Sequence, residues 1–375
     1  MAKENKSKRP AIPVKITNVL WARAAGRCEF EGCNELLCED WLTGKIVNGS
    51  QVAHILPVAN SARAKNGQTE DQKTDINNLM LICYKHHNLI DKSAPEEYPE
   101  ERLLEMKRKH EDRIKRATAV QANKQTLVLL YGANIGDDTP LLNYRLAQEA
   151  ISPDYYVSEN SPITIQIKGS MAERDHYFWE VEKENIQREL DKRVLPFLGD
   201  KEIEHISVFA LAPQPLLVFL GKILNEKYPI RTFQKHRIPD TWNWQKREFE
   251  WNDNVECPKD FSKQPVVIFA VSGGDIIKRT IEYYKNQATI WIYTLDSPDM
   301  NVLQSEEQLF LFRDHVRRLL EDITSKTSFD TIHVHMALPN ACAIELGRVW
   351  MPKVHKKLLL FESTKEDIVE TFKID

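Results

Sequence analysis

The sequence predicts two folds in tandem: a small α+β domain in which a hairpin and a helix are stapled by zinc, and after it an α/β domain made of two similar units. Three observations carry this expectation. A Cys28-x4-Cys33 pair and a later Cys83-x2-His86-His87 element together offer four ligands, the closed tetrahedral set of a structural zinc ion. Beyond residue 124, short and nearly continuous apolar runs alternate with charged stretches of helix length, as buried parallel strands and their crossover helices do. Three of these elements then recur in the same order with the same punctuation, which marks a duplicated α/β unit.

Bulk properties narrow the class. A chain of 375 residues suits two or three domains, and 42% hydrophobic with 28% charged residues is ordinary globular composition. The net charge of -4 and pI near 6.3 argue against coating nucleic acid by bulk charge, so any DNA contact must come from local basic patches. The basic opening MAKENKSKRP is followed by no apolar segment, and no run approaches the roughly 18 residues of a membrane span. A cytoplasmic protein without a membrane partner is expected. Six cysteines are few for this length, and Cys28, Cys33 and Cys83 lie in the ligand set, which favours metal over disulfides.

The first element is an amphipathic helix over Ile16 to Arg27, with Val19, Leu20, Ala24 and Ala25 inward and Gly26 closing it. The knuckle Cys28–Cys33 follows, with Gly32 letting the backbone fold round an ion. Cys38 is left as a core or surface thiol. A strand-like run, Val52 to Ile55, then carries His54, and a polar turn-rich loop spans Asn60 to Lys73. Asn78-Leu79 comes next, and Cys83-x-x-His86-His87 opens a helix.

This order of His, Asn and His beside a Cys/His staple resembles the HNH nucleases of the ββα-metal, treble-clef type. The resemblance implies that His54 is the general base for water, a role an imidazole neutral near pH 7 can fill. It implies that His87 binds a catalytic Mg2+ or Mn2+, with Asp91 four residues on along the same helix face as a second ligand, and that Asn78 fixes the loop carrying His54. Many relatives carry an acidic metal ligand just before the base, where this chain has Ala53, so the ion would keep more water. A surface salt bridge with Lys85 or Lys92 explains Asp91 equally well. Arg63 and Lys65 could lie along a DNA backbone. From Tyr98 to about Ala117 a further helix is expected, with a thin apolar stripe of Leu103, Met106, His110 and Ile114. It reads as a solvated connecting helix, or else as a basic arm for DNA phosphates or a sister subunit. The nuclease domain is thus drawn over residues 1–120 and the remainder over 121–375, in units of about 121–245 and 246–375.

The repeat is visible as three pairs. Leu127 to Tyr131 matches Val266 to Ala270, each leading into a glycine-bearing loop; Ile163 to Ile167 matches Thr289 to Tyr293. The third pair runs from Ile206 to Pro213 and from Ile332 to Pro339. In both, proline ends the strand, and a Leu-Gly closing at Gly221 or Gly347 follows eight residues later.

These Pro/Leu-Gly elements, with His236-Arg237, Trp242-x-Trp244 and the segment up to Arg348, resemble the SAVED family, in which two fused CARF-like Rossmannoid units bind cyclic oligonucleotides. Such a ligand offers phosphates, suited to glycine-loop amides and to Arg, and purine faces, suited to Trp. Asn134, Ser272, Gly273, Gly274, Arg237, Trp242, Trp244, Asn340 and Arg348 are the candidates. Trp242 and Trp244 could equally be core anchors, and Arg348 a helix cap.

Joined, the halves resemble HNH-SAVED effectors of cyclic-oligonucleotide antiphage defence (CBASS). That implies a homo-oligomer formed when a cyclic di- or trinucleotide binds, which then degrades double-stranded DNA. The alternatives are a restriction endonuclease that reads modified DNA without a small activator, and a non-catalytic zinc-hairpin regulator.

Overall fold

A computed structural model describes residues 12–40, 42–56, 74–121, 123–167, 175, 177–199, 204–245, 250–364 and 367–375. The expectation for Arg63 and Lys65 lies outside them. The chain divides into two compact units, Met1–Gln121 and Ala122–Asp375. No helix among the described residues is long and apolar enough to cross a membrane.

Unit 1 begins with α1 (Val14–Ala24), whose inward face is Ile16, Leu20 and Ala24 at helical spacing. Val19 and Ala25, expected inward, are exposed: Val19 lies beside the Ile16, Leu20 and Ala24 stripe, and Ala25 falls just past the end of the helix. Ala25 and Gly26 both take left-handed conformations there, and Gly26 N–H donates to Trp21 O at 2.9 Å. After the cysteine knuckle, β1 (Ser50–His54) pairs antiparallel with β2 (Leu79–Cys83). A short helix α2 (Tyr84–Asn88) follows β2 directly, and α3 (Glu100–Thr118) ends the unit.

Helix α3 corrects an expectation. It buries Leu103, Met106, Lys107 and His110 against the knuckle and α1, where a solvated connector had been read. His110 Nε2 lies 3.0 Å from Ala24 O at the end of α1, and Arg113 donates to Asn34 Oδ1 at 2.6 Å. The thin apolar stripe understates the packing because its gaps are filled by polar groups that find partners on the knuckle.

Unit 2 holds two sheets. The first contains β3 (Gln125–Gly132), β4 (Tyr156–Val157), β5 (Ile163–Gln166), β6 (Ile206–Leu211) and β7 (Ile230–Phe233), all parallel, with β4 and β5 on one side of β3 and β6 and β7 on the other. The helices of this half are α4 (Tyr144–Ile151), α5 (Phe178–Arg193), α6 (Leu195–Gly199) and α7 (Gln214–Leu224). In the second half are β8 (Asp253–Glu256), β9 (Gln264–Ala270), α8 (Asp275–Tyr284), β10 (Ala288–Leu295), α9 (Glu306–Lys326), β11 (Thr331–Ala337), α10 (Asn340–Val349), β12 (Lys357–Ser363) and β13 (Ile368–Ile374). Their sheet runs β13-β12-β11-β9-β10-β8, antiparallel only at its two edges.

The duplication is spatial as well as sequential. β3 and β9 are central, β5 and β10 flank them on one side, and β6 and β11 on the other, with β7 and β12 beyond as a fourth pair not apparent in the sequence. The inward faces of both sheets share one core with α5, α7, α9 and α10, while α4 and α8 cover the outer faces. Pro213 and Pro339 are the N-caps of α7 and α10, with fixed φ suited to a helix start.

The Leu-Gly pairs do not close these segments, as expected; they lie inside the helices, where α7 and α10 cross. A Cβ on Gly221 would stand 2.0 Å from Ile344 O, and one on Gly347 1.9 Å from Val218 O. Each glycine lets its helix rest on the carbonyl three residues before the other glycine. Any side chain must part the helices, so Gly221→Ala and Gly347→Ala should each cost roughly 3 kcal/mol in thermal or urea unfolding. Gly274→Ala, which meets open space, should stay within about 0.5 kcal/mol.

Two imidazoles are buried neutral in this core. His335 stacks on Phe361 at 4.4 Å and meets Tyr284 Oη at 2.9 Å, and burial, then His333, depresses its pKa to about 3. His205 stacks on Tyr155 at 3.9 Å, and burial, then Arg231, depresses it to about 4. An unfolded chain takes up these protons near pH 6.5 and the folded one does not, so stability present above 6.5 is lost as pH falls towards 4. Melting temperature should therefore drop between pH 7 and 4, and His335→Asn should flatten that dependence.

Candidate functional site

In unit 1 the knuckle returns Cys28 and Cys33 to the point where β2 passes into α2, bringing Cys83 and His86 beside them. The four donor atoms lie within 4.8 Å of one another, and among the described residues this is the one cluster of three or more metal-ligating groups. His86 Nδ1 is 3.1 Å from Cys83 Sγ and 3.7 Å from Cys28 Sγ. Tetrahedral zinc, with bonds near 2.0–2.3 Å, separates its ligand atoms by roughly 3.3–3.8 Å, so the set fits. Burial raises the Cys28 and Cys83 thiols, so without a cation neither is a comfortable thiolate, and a dication at the centre would reverse that. Burial, then Lys85, holds His86 low and neutral, as a ligand must be. Phe30 lies flat on the His86 ring at 4.0 Å and fixes its orientation, and Cys83 N–H donates to Cys28 Sγ at 3.3 Å. The exposed Cys38 stands outside the cluster.

His54 ends β1, opposite Leu79 in register. The buried Asn78 accepts Leu56 N–H on Oδ1 at 2.6 Å and Ile55 N–H on its carbonyl at 2.9 Å, so it grips the two residues after His54. His87 Nε2 and Asp91 Oδ2 are 3.5 Å apart, across α2 and the π-helical turn Leu89–Ser93 that continues it. Helix α2 packs on both strands. The His87–Asp91 pair can supply two ligands to a cation.

In unit 2, five candidates come to the carboxyl ends of central strands. Asn134 follows β3 and accepts from Thr139 Oγ1 at 2.8 Å. Ser272 follows β9, its N–H donating to Ala337 O at 2.7 Å, and Gly273 and Gly274 lead into α8. Asn340 begins α10 and donates across the joint to Ala210 O at 3.2 Å. Its counterpart Gln214, at the start of α7, donates to Leu338 O at 3.1 Å and accepts Leu338 N–H at 3.0 Å. Gln234 accepts Ala341 N–H at 3.1 Å. Gln214 and Gln234 were not foreseen, although the matched Pro213-Gln214 and Pro339-Asn340 pairs are the signal that could have found the first.

The other four candidates are not brought to those strand ends as open groups. Trp242 is 1% exposed and stands edge-on to Phe209 at 5.2 Å, a core anchor with its ring faces covered. Trp244 is half-buried beside His236 at 6.2 Å. Arg237 is exposed on the loop after β7. Arg348 lies at the far end of α10, 4% exposed, bound to Glu345 at 2.8 and 3.0 Å and to Asn225 O at 3.2 Å. The Glu345 carboxylate is also met by Arg313 at 2.9 Å and by Thr232 Oγ1 at 2.6 Å, so Arg348 belongs to a buried ion-pair network.

The profile of SAVED, described as the SMODS-associated and fused to various effectors sensor domain, matches residues 186–374, half of the chain. The chain belongs to the SAVED family. Among solved structures, the chain is similar to the SAVED/CARF-domain containing Cap4 receptor of Acinetobacter baumannii. With the cyclic trinucleotide 3'3'3'-cAAA bound to that receptor, the TM-score is 0.43 at 11% identity over 73% of this chain and 56% of that one. With 2'3'3'-cAAA, the TM-score is 0.44 at 10% identity over 73% and 55%. The Cap4 receptor of Moraxella osloensis gives 0.41 at 11% identity over 72% and 54%. The chain thus spans little more than half the length of the receptors it matches. No protein of curated function matches the sequence.

The Cys28 cluster is expected to hold about one zinc per chain by elemental analysis. Cys83→Ser should lose the metal, and chelation should unfold unit 1 while leaving the SAVED unit's melting transition in place.

Proposed function

We propose that the chain is a cyclic-oligonucleotide-activated DNA endonuclease of antiphage defence, with an HNH-type site in unit 1 governed by the SAVED unit. The observation that carries the nuclease half is the grip of Asn78 on the backbone just after His54. An Asn so placed holds the base-bearing loop, which is what proton abstraction from an attacking water needs.

In this reading His54 takes the proton from water, and its position is set by the hydrogen bonds from Leu56 and Ile55 to Asn78. His87 and Asp91 would hold a Mg2+ or Mn2+ ion, which when bound supplies Lewis-acid polarisation of a phosphate and charge for the departing oxygen. Ala53 adds no ligand, so the rest of the coordination sphere is left to water and phosphate. The Cys28, Cys33, Cys83 and His86 set, with zinc, would keep β2 and α2 in place and take no part in the chemistry.

The sensor half rests on membership of the SAVED family and on the convergence of Asn134, Ser272, Gly273, Gly274 and Asn340 at strand ends, the usual ligand position of open α/β sheets. A cyclic trinucleotide of the kind bound by the A. baumannii receptor suits glycine-loop amides and paired amide side chains. A lethal nuclease must rest silent. Moving a population from 1:99 to 99:1 takes about 5.5 kcal/mol of preferential binding, and association of several chains on ligand binding is the natural amplifier.

Plasmid cleavage in magnesium, with and without cyclic di- and trinucleotides, tests both halves. One ligand should switch cleavage on, and His54→Ala should reduce it by roughly 10²–10⁴-fold while ligand binding persists. Cleavage indifferent to every ligand would overturn the sensor half; ligand binding without any cleavage would overturn the nuclease half.

A further inference from the structure

A buried charge relay joins α3 to β2, and neither the zinc cluster nor the proposed catalytic residues use it. Glu29, next to the zinc ligand Cys28, is 1% exposed. Its N–H donates to Leu81 O at 2.9 Å, and its Oε2 accepts Leu81 N–H at 2.6 Å. One residue thus takes both backbone groups of the middle of β2, on the edge away from β1. That strand begins just after Asn78 and ends at Cys83, and its first residue, Leu79, faces His54.

Such a buried carboxylate needs a counter-charge. Lys107 supplies it from α3: the ammonium is 4% exposed, 3.9 Å from Glu29 Oε1, and paired on its other side with Glu111, which also faces Arg23 at 3.9 Å. Glu29 Oε1 makes no hydrogen bond of its own among the described residues, and Lys107 is its nearest counter-charge, with Arg23 acting from farther off. Helix α3 is also the last element of unit 1, and the chain runs from Thr118 into β3, the central strand of the first SAVED sheet, seven residues later.

We infer that Lys107 is a positioning residue for the nuclease site, and that the Lys107–Glu29–Leu81 relay is the joint through which movement of α3, drawn by the sensor, shifts β2. The inference rests on the nuclease reading and names its regulation. A translation or rotation of α3 carries the ammonium away from Glu29, and a buried carboxylate losing its partner releases Leu81. The strand holding Asn78 at one end and Cys83 at the other then changes its pairing with β1.

The test uses the full-length, zinc-loaded chain with a panel of cyclic di- and trinucleotides that includes 3'3'3'-cAAA and 2'3'3'-cAAA. Hydrogen exchange of the Leu81 amide should change at least tenfold when the activating nucleotide is added to wild type, and should not respond in Lys107→Met. The ratio of stimulated to basal cleavage should fall at least tenfold in Lys107→Met, with nucleotide affinity unchanged, and recover in Lys107→Arg. Should Lys107→Met lose zinc or unfold, Lys107→Met/Glu29→Gln, which removes the stranded charge, decides in its place: a loss of stimulation supports the joint and a wild-type ratio overturns it. An unchanged ratio in Lys107→Met, or a Leu81 amide indifferent to the activator in wild type, also overturns it. If wild type cleaves under no nucleotide, the nuclease reading fails instead, and Leu81 exchange with bound nucleotide still judges the joint by itself.

Discussion

The SAVED unit depends on the crossing of two helices at two glycines. Gly221 and Gly347 let α7 and α10 approach until backbone touches backbone, each glycine seated on a carbonyl of the other helix. Glycine inside a helix costs about 1 kcal/mol relative to alanine. Here that cost is offset by a shared core in which the inner faces of two sheets and the helices α5, α7, α9 and α10 become continuous. Because α7 and α10 start directly at Pro213 and Pro339, their close crossing also draws together the carboxyl ends of β6 and β11. The amides of Gln214 and Asn340 then bridge the joint in opposite directions, each reaching the strand end of the other half of the SAVED unit. The place where a ligand is expected is therefore a consequence of how two helices pack.

Unit 1 solves a different problem. Its core is small, and a domain of that size gains little from apolar burial, so the ligand cluster, which could hold a metal, and buried polar ties take a larger share. The Cys28 cluster lies at one end of β2, and Glu29 holds its middle through Leu81. Helix α3 closes the set with Lys107, His110 and Arg113, each meeting a partner on the knuckle or α1. The candidate catalytic groups lie on the same short strands and helix, so what holds the domain together also sets their geometry.

Charge is handled in the same manner in both units. Glu345 in the SAVED unit and Glu29 in unit 1 are each 1% exposed and each answered by a cation that is 4% exposed, Arg348 and Lys107. Removing Arg348 or Lys107 takes a close counter-charge from a buried carboxylate in a medium that solvates it poorly, which couples distant elements firmly. Exposed pairs such as Lys109–Glu105 at 2.9 Å carry far less.

Much was legible in the chain itself. The clustering of Cys28, Cys33, Cys83 and His86 and the three matched strand pairs could be read because local chemistry constrains them: thiols at fixed spacing and apolar runs between turn signals. Periodicity also located α3, yet not its role, since a stripe of three or four apolar residues cannot reveal that Lys107 and His110 find partners 78 and 86 residues earlier. The same blindness left Arg348 and Trp242 open between two readings, since these residue types suit nucleotides and buried networks equally well; only the fold decided which neighbours they have. The fourth strand pair, β7 with β12, and the antiparallel edges β8 and β13 carried too little sequence symmetry to be seen. Composition and spacing determined which elements exist and which ligands cluster locally. Tertiary structure decided which polar groups are taken up in packing and which stand at the strand ends, because burial and charge pairing are set between residues far apart in the chain.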